Sequence, residues 1–247
     1  MLAARAILRR LLQTLARSCI CVIALACASC VHRDAGTPNV ALAGAELLWQ
    51  DDFQDLSQWI LELEKPGSVR AMDGALDIDV PAGATLWFKH ELAAPVAISF
   101  AATAIDAGGP NDRVSDINVF WMARNSDGTN LLTRRRHGAF AEYNDLLTYY
   151  VGLGGNWNTT TRFRRYIGDR ELRPLRPEHD LSSPDVLLRA NHTQNITLIT
   201  DGKRVEYWRD GVRVFQFHDA EPYGRGHFAI RTTRSHLRIE GFRIHRL

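Results

Sequence analysis

Beyond residue 30 the chain has no cysteine: all four (Cys19, Cys21, Cys27 and Cys30) fall at the amino end. A domain lacking them has no disulfide, no thiol nucleophile and no cysteine-based zinc site. No apolar run reaches the roughly 20 residues that a membrane-spanning helix needs; the run from Ile20 to Ala28 is too short. Broad basic charge is missing as well. The 30 Lys and Arg against 28 Asp and Glu give +2, and loss of the first 30 residues removes four arginines and no acid, leaving a formal −2. That balance gives no footing for wholesale nucleic-acid binding, which needs a broad basic surface. No internal repeat occurs, and no low-complexity run follows Glu46, so a single domain is expected over residues 46–247.

The amino end itself is rich in signals. Arg5, Arg9, Arg10 and Arg17, the short apolar run and the small residues after it read as a secretory signal peptide over residues 1–30. Ala28-Ser29-Cys30 resembles the end of a bacterial lipobox, which makes Cys30 the expected lipid attachment site. Cleavage before Cys27 and an ordinary soluble signal are the alternatives. Residues 31–45 are small, polar and proline-bearing, as a flexible tether would be. The expected location is the bacterial cell envelope, lipid-anchored on the outer membrane or facing the periplasm, with secretion as the alternative. Membrane contact would be through the lipid only, and no protein partner is implied.

The domain reads as strands and turns. Leu76, Ile78 and Val80 alternate, as do Val96, Ile98 and Phe100, and Ile117, Val119 and Trp121. Asp201-Gly202 and Asp210-Gly211 separate β-rich runs and mark hairpins, because such turns need positive φ. Only Leu56 to Leu63 hints at a short helix. Ten or more short strands with regular turns predict an all-β, antiparallel, two-sheet jelly-roll sandwich.

The densest stretch is Leu147 to Gly168, LTYYVGLGGNWNTTTRFRRYIG, with adjacent tyrosines, a glycine-rich turn, consecutive threonines and three arginines. Polar groups beside flat aromatic faces suit a sugar, which offers hydroxyl edges and apolar C–H faces; the arginines point to carboxylate or sulfate on it. Strand period sends Phe163 inward and Arg162, Arg164 and Tyr166 to the opposite face. Asn156 and Asn158 are candidate partners for sugar hydroxyls. The glycine-rich turn lacks the following Lys-Ser/Thr of a phosphate loop. The competing reading is a row of exposed arginines paired with Asp112, Asp116 or Glu142.

Asp112 and Asp116 invite a glycosidase reading and are also counted as substrate-binding candidates. If extended, they would stand about 13 Å apart, too far for a retaining pair at about 5–5.5 Å or an inverting pair at about 6.5–9.5 Å. Carboxylates from separate strands remain an option. β-Elimination on a uronate needs no such pair: an arginine or asparagine neutralises the carboxylate, while histidine or tyrosine moves the proton. Tyr149, Tyr150, His137 and His236 are the catalytic candidates for that chemistry, a set that resembles what jelly-roll polysaccharide lyases use. No His-Glu-X-X-His run or similar spacing supports a catalytic metal. No cofactor is expected, and a structural calcium at the Asn111-Asp112 turn is the one metal option.

The run LLWQDDFQDLSQW with the hairpin ITLITDGKRVEYWRDG resembles the concanavalin-A-like lectin and glucanase superfamily. The segments GGPNDRVSDINVFWMA, YYVGLGGNWNTTTRFRRY and RTTRSHLRIEGFRIHRL resemble an uncharacterised bacterial family of that kind of fold. The resemblance implies the jelly roll and a carbohydrate context. The Glu-X-Asp-X-X-Glu strand of superfamily hydrolases is missing. Three functions stay open: an enzyme on acidic polysaccharide, most readily a lyase; a non-catalytic glycan-binding lipoprotein; and a structural envelope protein.

Overall fold

The computed structural model describes residues 44–247 together with Leu42. The expected signal peptide, the lipid site at Cys30, the alternative cleavage at Cys27 and most of the tether lie outside the described residues. Among the described residues, fourteen strands form one hydrogen-bonded sheet that folds into two layers.

Two long strands make that folding possible. β4 (Ala75–Phe88) and β14 (Arg225–Arg246) run side by side, pairing Thr233 with Gly83 and Ser235 with Val80. The register slips between these pairs at Arg234, whose φ of 43° turns the strand. A bulge of this kind bends a strand sharply, so each long strand serves both layers.

The first layer runs from β2 (Trp59–Leu63) through the second half of β4 and the first half of β14 to β7 (Ile117–Asn125), β8 (Leu146–Gly154), β9 (Thr160–Ile167) and β10 (Asp180–Leu181). The second runs from β3 (Ser68–Met72) through the other halves to β6 (Val96–Ala104), β11 (Thr193–Thr200), β12 (Arg204–Arg209) and β13 (Val212–His218). All pairings are antiparallel, so the jelly-roll sandwich expected from the strand pattern is the fold. The helix hinted at over Leu56 to Leu63 is corrected: Trp59–Leu63 is a strand paired with β4, and Trp59 and Leu61 pack into the core.

Inner faces meet in an apolar core. Val119, Trp121, Val151 and Phe163 of the first layer join Phe100, Leu198, Tyr207 and Phe215 of the second. Each such buried side chain contributes about 1.5–3 kcal/mol. Trp121 donates its indole N–H across the layers to Thr200 Oγ1 at 3.1 Å.

The outer face of the first layer is only half covered. Residues 126–145 leave β7 and return to β8, carrying two 3₁₀ turns, Leu131–Thr133 and Phe140–Tyr143. They cover a second apolar cluster of Trp87, Phe120, Tyr150 and Tyr166. Buried Arg136 ties this excursion together by donating to Asn125 Oδ1 and the Leu131 carbonyl. Glu62 anchors it from below, accepting from Trp87 Nε1 at 2.9 Å and Tyr143 OH at 2.7 Å. The rest of this face is open.

Candidate functional site

Strand register builds the open part. Partners on neighbouring strands sit about 4.8 Å apart with their side chains on one face. The pairings therefore set Arg162, Gly152, Asn118, Arg231, Thr85 and Glu62 in one transverse row. The adjacent row holds Arg164, Tyr150, Phe120, Ala229 and Trp87. Both rows face away from Phe163 and the core. Where the excursion ends they form the floor of a cleft of about 530 Å³, with Glu64 and Phe140 on one side and Asn156, Trp157 and Arg113 also lining it. Gly152 is needed here: a Cβ at that position would lie 2.7 Å from the Tyr150 hydroxyl, which leans over the bare backbone.

Five arginines line the cleft: Arg113, Arg162, Arg164, Arg173 and Arg231. Two are neutralised. Arg162 grips Asp180 through Nε at 2.6 Å and Nη2 at 3.3 Å, and Arg113 meets Asp116 Oδ2 at 2.7 Å. The arginine partners proposed from sequence were Asp112, Asp116 and Glu142; for Arg162 the partner is Asp180 instead, because β10 pairs with β9. Arg164, Arg173 and Arg231 have no carboxylate partner among the described residues. Arg164 donates to the Arg173 carbonyl at 2.6 Å, and Arg173 to Asn144 Oδ1 at 2.9 Å.

Arg231 is the outlier, only 2% exposed. Its Nη1 donates to Thr85 Oγ1 at 2.7 Å and to the Gly138 carbonyl at 2.9 Å, and its guanidinium lies 4.8 Å from the Phe140 ring and 4.9 Å from that of Tyr143. Gly138 can reach it because a Cβ there would fall 2.6 Å from the Glu64 backbone nitrogen, at a φ of 86°. Burial pushes the Arg231 pKa down, but an arginine stays charged. Asp116 acts on it only at a distance, and a buried charge with no ion-pair partner is costly unless something else satisfies it.

The floor also carries buried polar atoms. Asn118 Oδ1 is buried and unpaired, and the Tyr166 hydroxyl, also buried, lies beside the Arg173 guanidinium. Asn118 does donate to Asp116 Oδ1 at 3.3 Å, while Ser115 Oγ and Arg113 hold Asp116 Oδ2. Burial pushes the Tyr150 hydroxyl well above its ordinary value and raises that of Tyr166, so both are donors at neutral pH.

Of the residues singled out from sequence, Tyr150, Tyr166, Asn156, Arg162, Arg164 and Asp116 line this one cleft. The others do not. Tyr149, next to Tyr150 in the strand and so on the opposite face, points into the sandwich core, and its hydroxyl donates to Asp219 Oδ2 at 2.7 Å. Asn158 is spent on backbone, donating to the Leu188 carbonyl at 3.0 Å and accepting from its N–H at 2.9 Å. His137 is on the exposed excursion, 3.2 Å from Glu142 Oε1. His236 lies between two aspartates, its Nδ1 3.0 Å from Asp112 Oδ1 and its Nε2 2.9 Å from Asp77 Oδ2. Asp112 is thus committed to His236 and to the N–H groups of Ala107 and Gly109, apart from Asp116. Tyr149, His137 and His236, expected as catalytic groups, and Asn158 and Asp112, expected as substrate ligands, are thus not among the residues that line the cleft.

Among the described residues no cluster of three or more His, Cys, Asp or Glu is placed to hold a metal ion. Asn111 at the proposed calcium turn donates its side-chain N–H to Asp79 Oδ1 at 2.8 Å. Sequence reasoning passed over Arg231, Arg113, Arg173, Asn118 and Trp157. A row-by-row face assignment of β14 and β7 would have flagged Arg231 and Asn118 as polar positions opposite the core.

Known structures share the architecture. A Bacillus subtilis protein of unknown function with a galectin-like fold aligns at a TM-score of 0.63 and 18% identity, over 81% of this chain and 96% of that one. The carbohydrate-binding module CBM66 from Bacillus subtilis aligns at 0.52 and 10% identity, over 76% and 95%. An endo-β-1,3-glucanase from Pyrococcus furiosus aligns at 0.54 and 10%, over 81% and 94%. At these identities the likeness is one of fold. No curated protein matches at the level of sequence. A family model does match, over residues 78–242, which takes in most of both long strands and almost every residue of the cleft, and the chain belongs to that family, the domain of unknown function DUF6250.

Proposed function

We propose that the cleft captures an acidic carbohydrate, a uronate or sulfated chain, without turning it over. The carrying observation is the trio Arg164, Arg173 and Arg231, which face one cleft and make no ion pair with a carboxylate among the described residues. Guanidinium forks grip carboxylate or sulfate through paired hydrogen bonds. An anion here would offset the desolvation of Arg231, and sugar hydroxyls would meet Asn118 Oδ1 and the Tyr166 hydroxyl. A carbohydrate ligand is favoured because a carbohydrate-binding module and glucanases share the fold.

Capture is favoured over elimination by the state of the tyrosines. A tyrosine base requires a lowered pKa, whereas burial raises those of Tyr150 and Tyr166. Among the described residues no histidine lines the cleft. Its two acids are engaged, Glu64 with the Gly83 N–H at 2.9 Å and Asp116 with Arg113. With the leader read as exporting the domain and anchoring it at Cys30, the site would collect glycans at the envelope.

The test is calorimetric titration with a panel of uronate and sulfated oligosaccharides, followed by absorbance at the unsaturated-product band. Binding without new absorbance or shortened chains is expected. A protein that binds nothing on the panel overturns the reading, and one that degrades its ligand overturns capture in favour of catalysis.

A further inference from the structure

The link between β8 and β9 is built against its own local preferences. Gly154 has φ 65°, then Asn156, Trp157 and Asn158 follow at 52°, 62° and 58°. Left-handed backbone is natural for glycine and tolerable for asparagine, but for a bulky aromatic it is an outlier. Such strain persists only where the surroundings over-determine it. Here Asn158 is fixed by two hydrogen bonds to the Leu188 backbone, Asn156 donates to Thr160 Oγ1 at 3.1 Å, and Thr159 donates its hydroxyl to the Asn156 carbonyl at 2.7 Å.

What this scaffold displays is an indole the fold does not use. Trp157 is 68% exposed, above every other exposed large apolar residue among those described, and it belongs to no core cluster. Its close ring contact is the Arg113 guanidinium, 4.4 Å from the ring centroid. Arg113 is held in turn by Asp116 and the Thr233 carbonyl. One indole face is therefore backed by a fixed cation, and the residue lines the arginine cleft.

We propose that Trp157 is the platform on which a sugar ring of the cleft's ligand stacks, and that Asn158 is its positioning residue. This rests on the reading of the cleft as a glycan site. The C–H face of a pyranose covers the open indole face, while its anionic substituent, or that of the next sugar, reaches the unpaired arginines. Both demands together select a saccharide acid over a bare anion.

Wild type, W157A, W157F and N158A are titrated by calorimetry with the tightest oligosaccharide of the panel, and tryptophan emission is followed in parallel. W157A is expected to lose ten-fold or more in affinity with its melting temperature held, and W157F to recover most of it. Ligand should change the emission of wild type and leave that of W157F unmoved. N158A should shift the emission of the free protein and weaken binding, which a merely structural residue far from the ligand would not do. Wild-type binding with an unchanged W157A overturns the platform alone. A wild type that binds no saccharide overturns the cleft reading and the platform with it.

Discussion

Replacing Arg231 by methionine separates what the residue does for the fold from what it does for a ligand. Methionine keeps most of the stem's length, and removes the charge together with the guanidinium's contacts to the Phe140 and Tyr143 rings. Two hydrogen bonds go, to Thr85 Oγ1 and the Gly138 carbonyl. The loss of such bonds and the stranded carbonyl cost about 1–3 kcal/mol. Against this, the desolvation penalty of an unpaired buried ion, several kcal/mol even after relaxation, disappears. The two terms nearly cancel, so stability should stay within about 2 kcal/mol of wild type. For a domain of this size that is a melting shift of at most about 4–8 °C. Binding has no such compensation. A hydrogen bond to an ionised group is worth about 1.5–3 kcal/mol, so affinity should fall roughly ten- to 150-fold. Thermal unfolding and calorimetric titration read the two quantities on one sample. Affinity equal to wild type, or a loss of stability beyond about 4 kcal/mol, would show Arg231 to be a structural residue and refute this reasoning.

Other outcomes follow from single contacts. Gly152→Ala puts a Cβ 2.7 Å from the Tyr150 hydroxyl; the overpacking should cost about 1–3 kcal/mol in denaturant unfolding and weaken glycan binding as the phenol is pushed into the cleft. Trp157→Gly should be more stable than Trp157→Ala by about 0.4–1 kcal/mol or more, because both lose the ring but only glycine is at ease at φ 62°; equal stabilities would mean the turn is unstrained. His236 gives a pH signature. Burial alone would push its imidazole down, but the hydrogen bonds to Asp77 and Asp112 outweigh that and raise it. Its contribution to stability is therefore complete below the unfolded value of about 6.5 and is lost as pH rises through the higher folded value. Asp79 on β4 adds to the raising, and Arg70 faces the cluster through Asp77. His236→Gln should flatten the decline of melting temperature on the alkaline side, and an unchanged profile would refute the assignment.

Much of the fold could be read from the sequence because its determinants are local. Alternation at Ile117, Val119 and Trp121 and the Asp-Gly turns follow from strand period and turn chemistry alone. The same period divided β9 correctly, with Phe163 inward and Arg162, Arg164 and Tyr166 outward. It could equally have divided Tyr149 from Tyr150, since adjacent strand residues cannot share a face. The apolar content of Leu56 to Leu63 misled because the pairing that makes Trp59–Leu63 a strand lies more than 20 residues away in β4. His137 and His236 looked reactive by type, yet their acid partners arrive through tertiary contacts. Arg231 was hidden for the same reason: its burial without an ion-pair partner is a property of the assembled face. The exposure of Trp157 depends on three consecutive left-handed residues, which no propensity would propose for Asn-Trp-Asn.

The central claim is that the cleft recognises negative charge on a sugar. It is tested most directly by titrating the wild-type domain with one acidic oligosaccharide from the panel and with its methyl-esterified counterpart, at low and high salt. Tight binding of the acid, ten-fold or greater weakening on esterification, and a further fall with salt are expected. Equal affinity for the two forms would contradict the account.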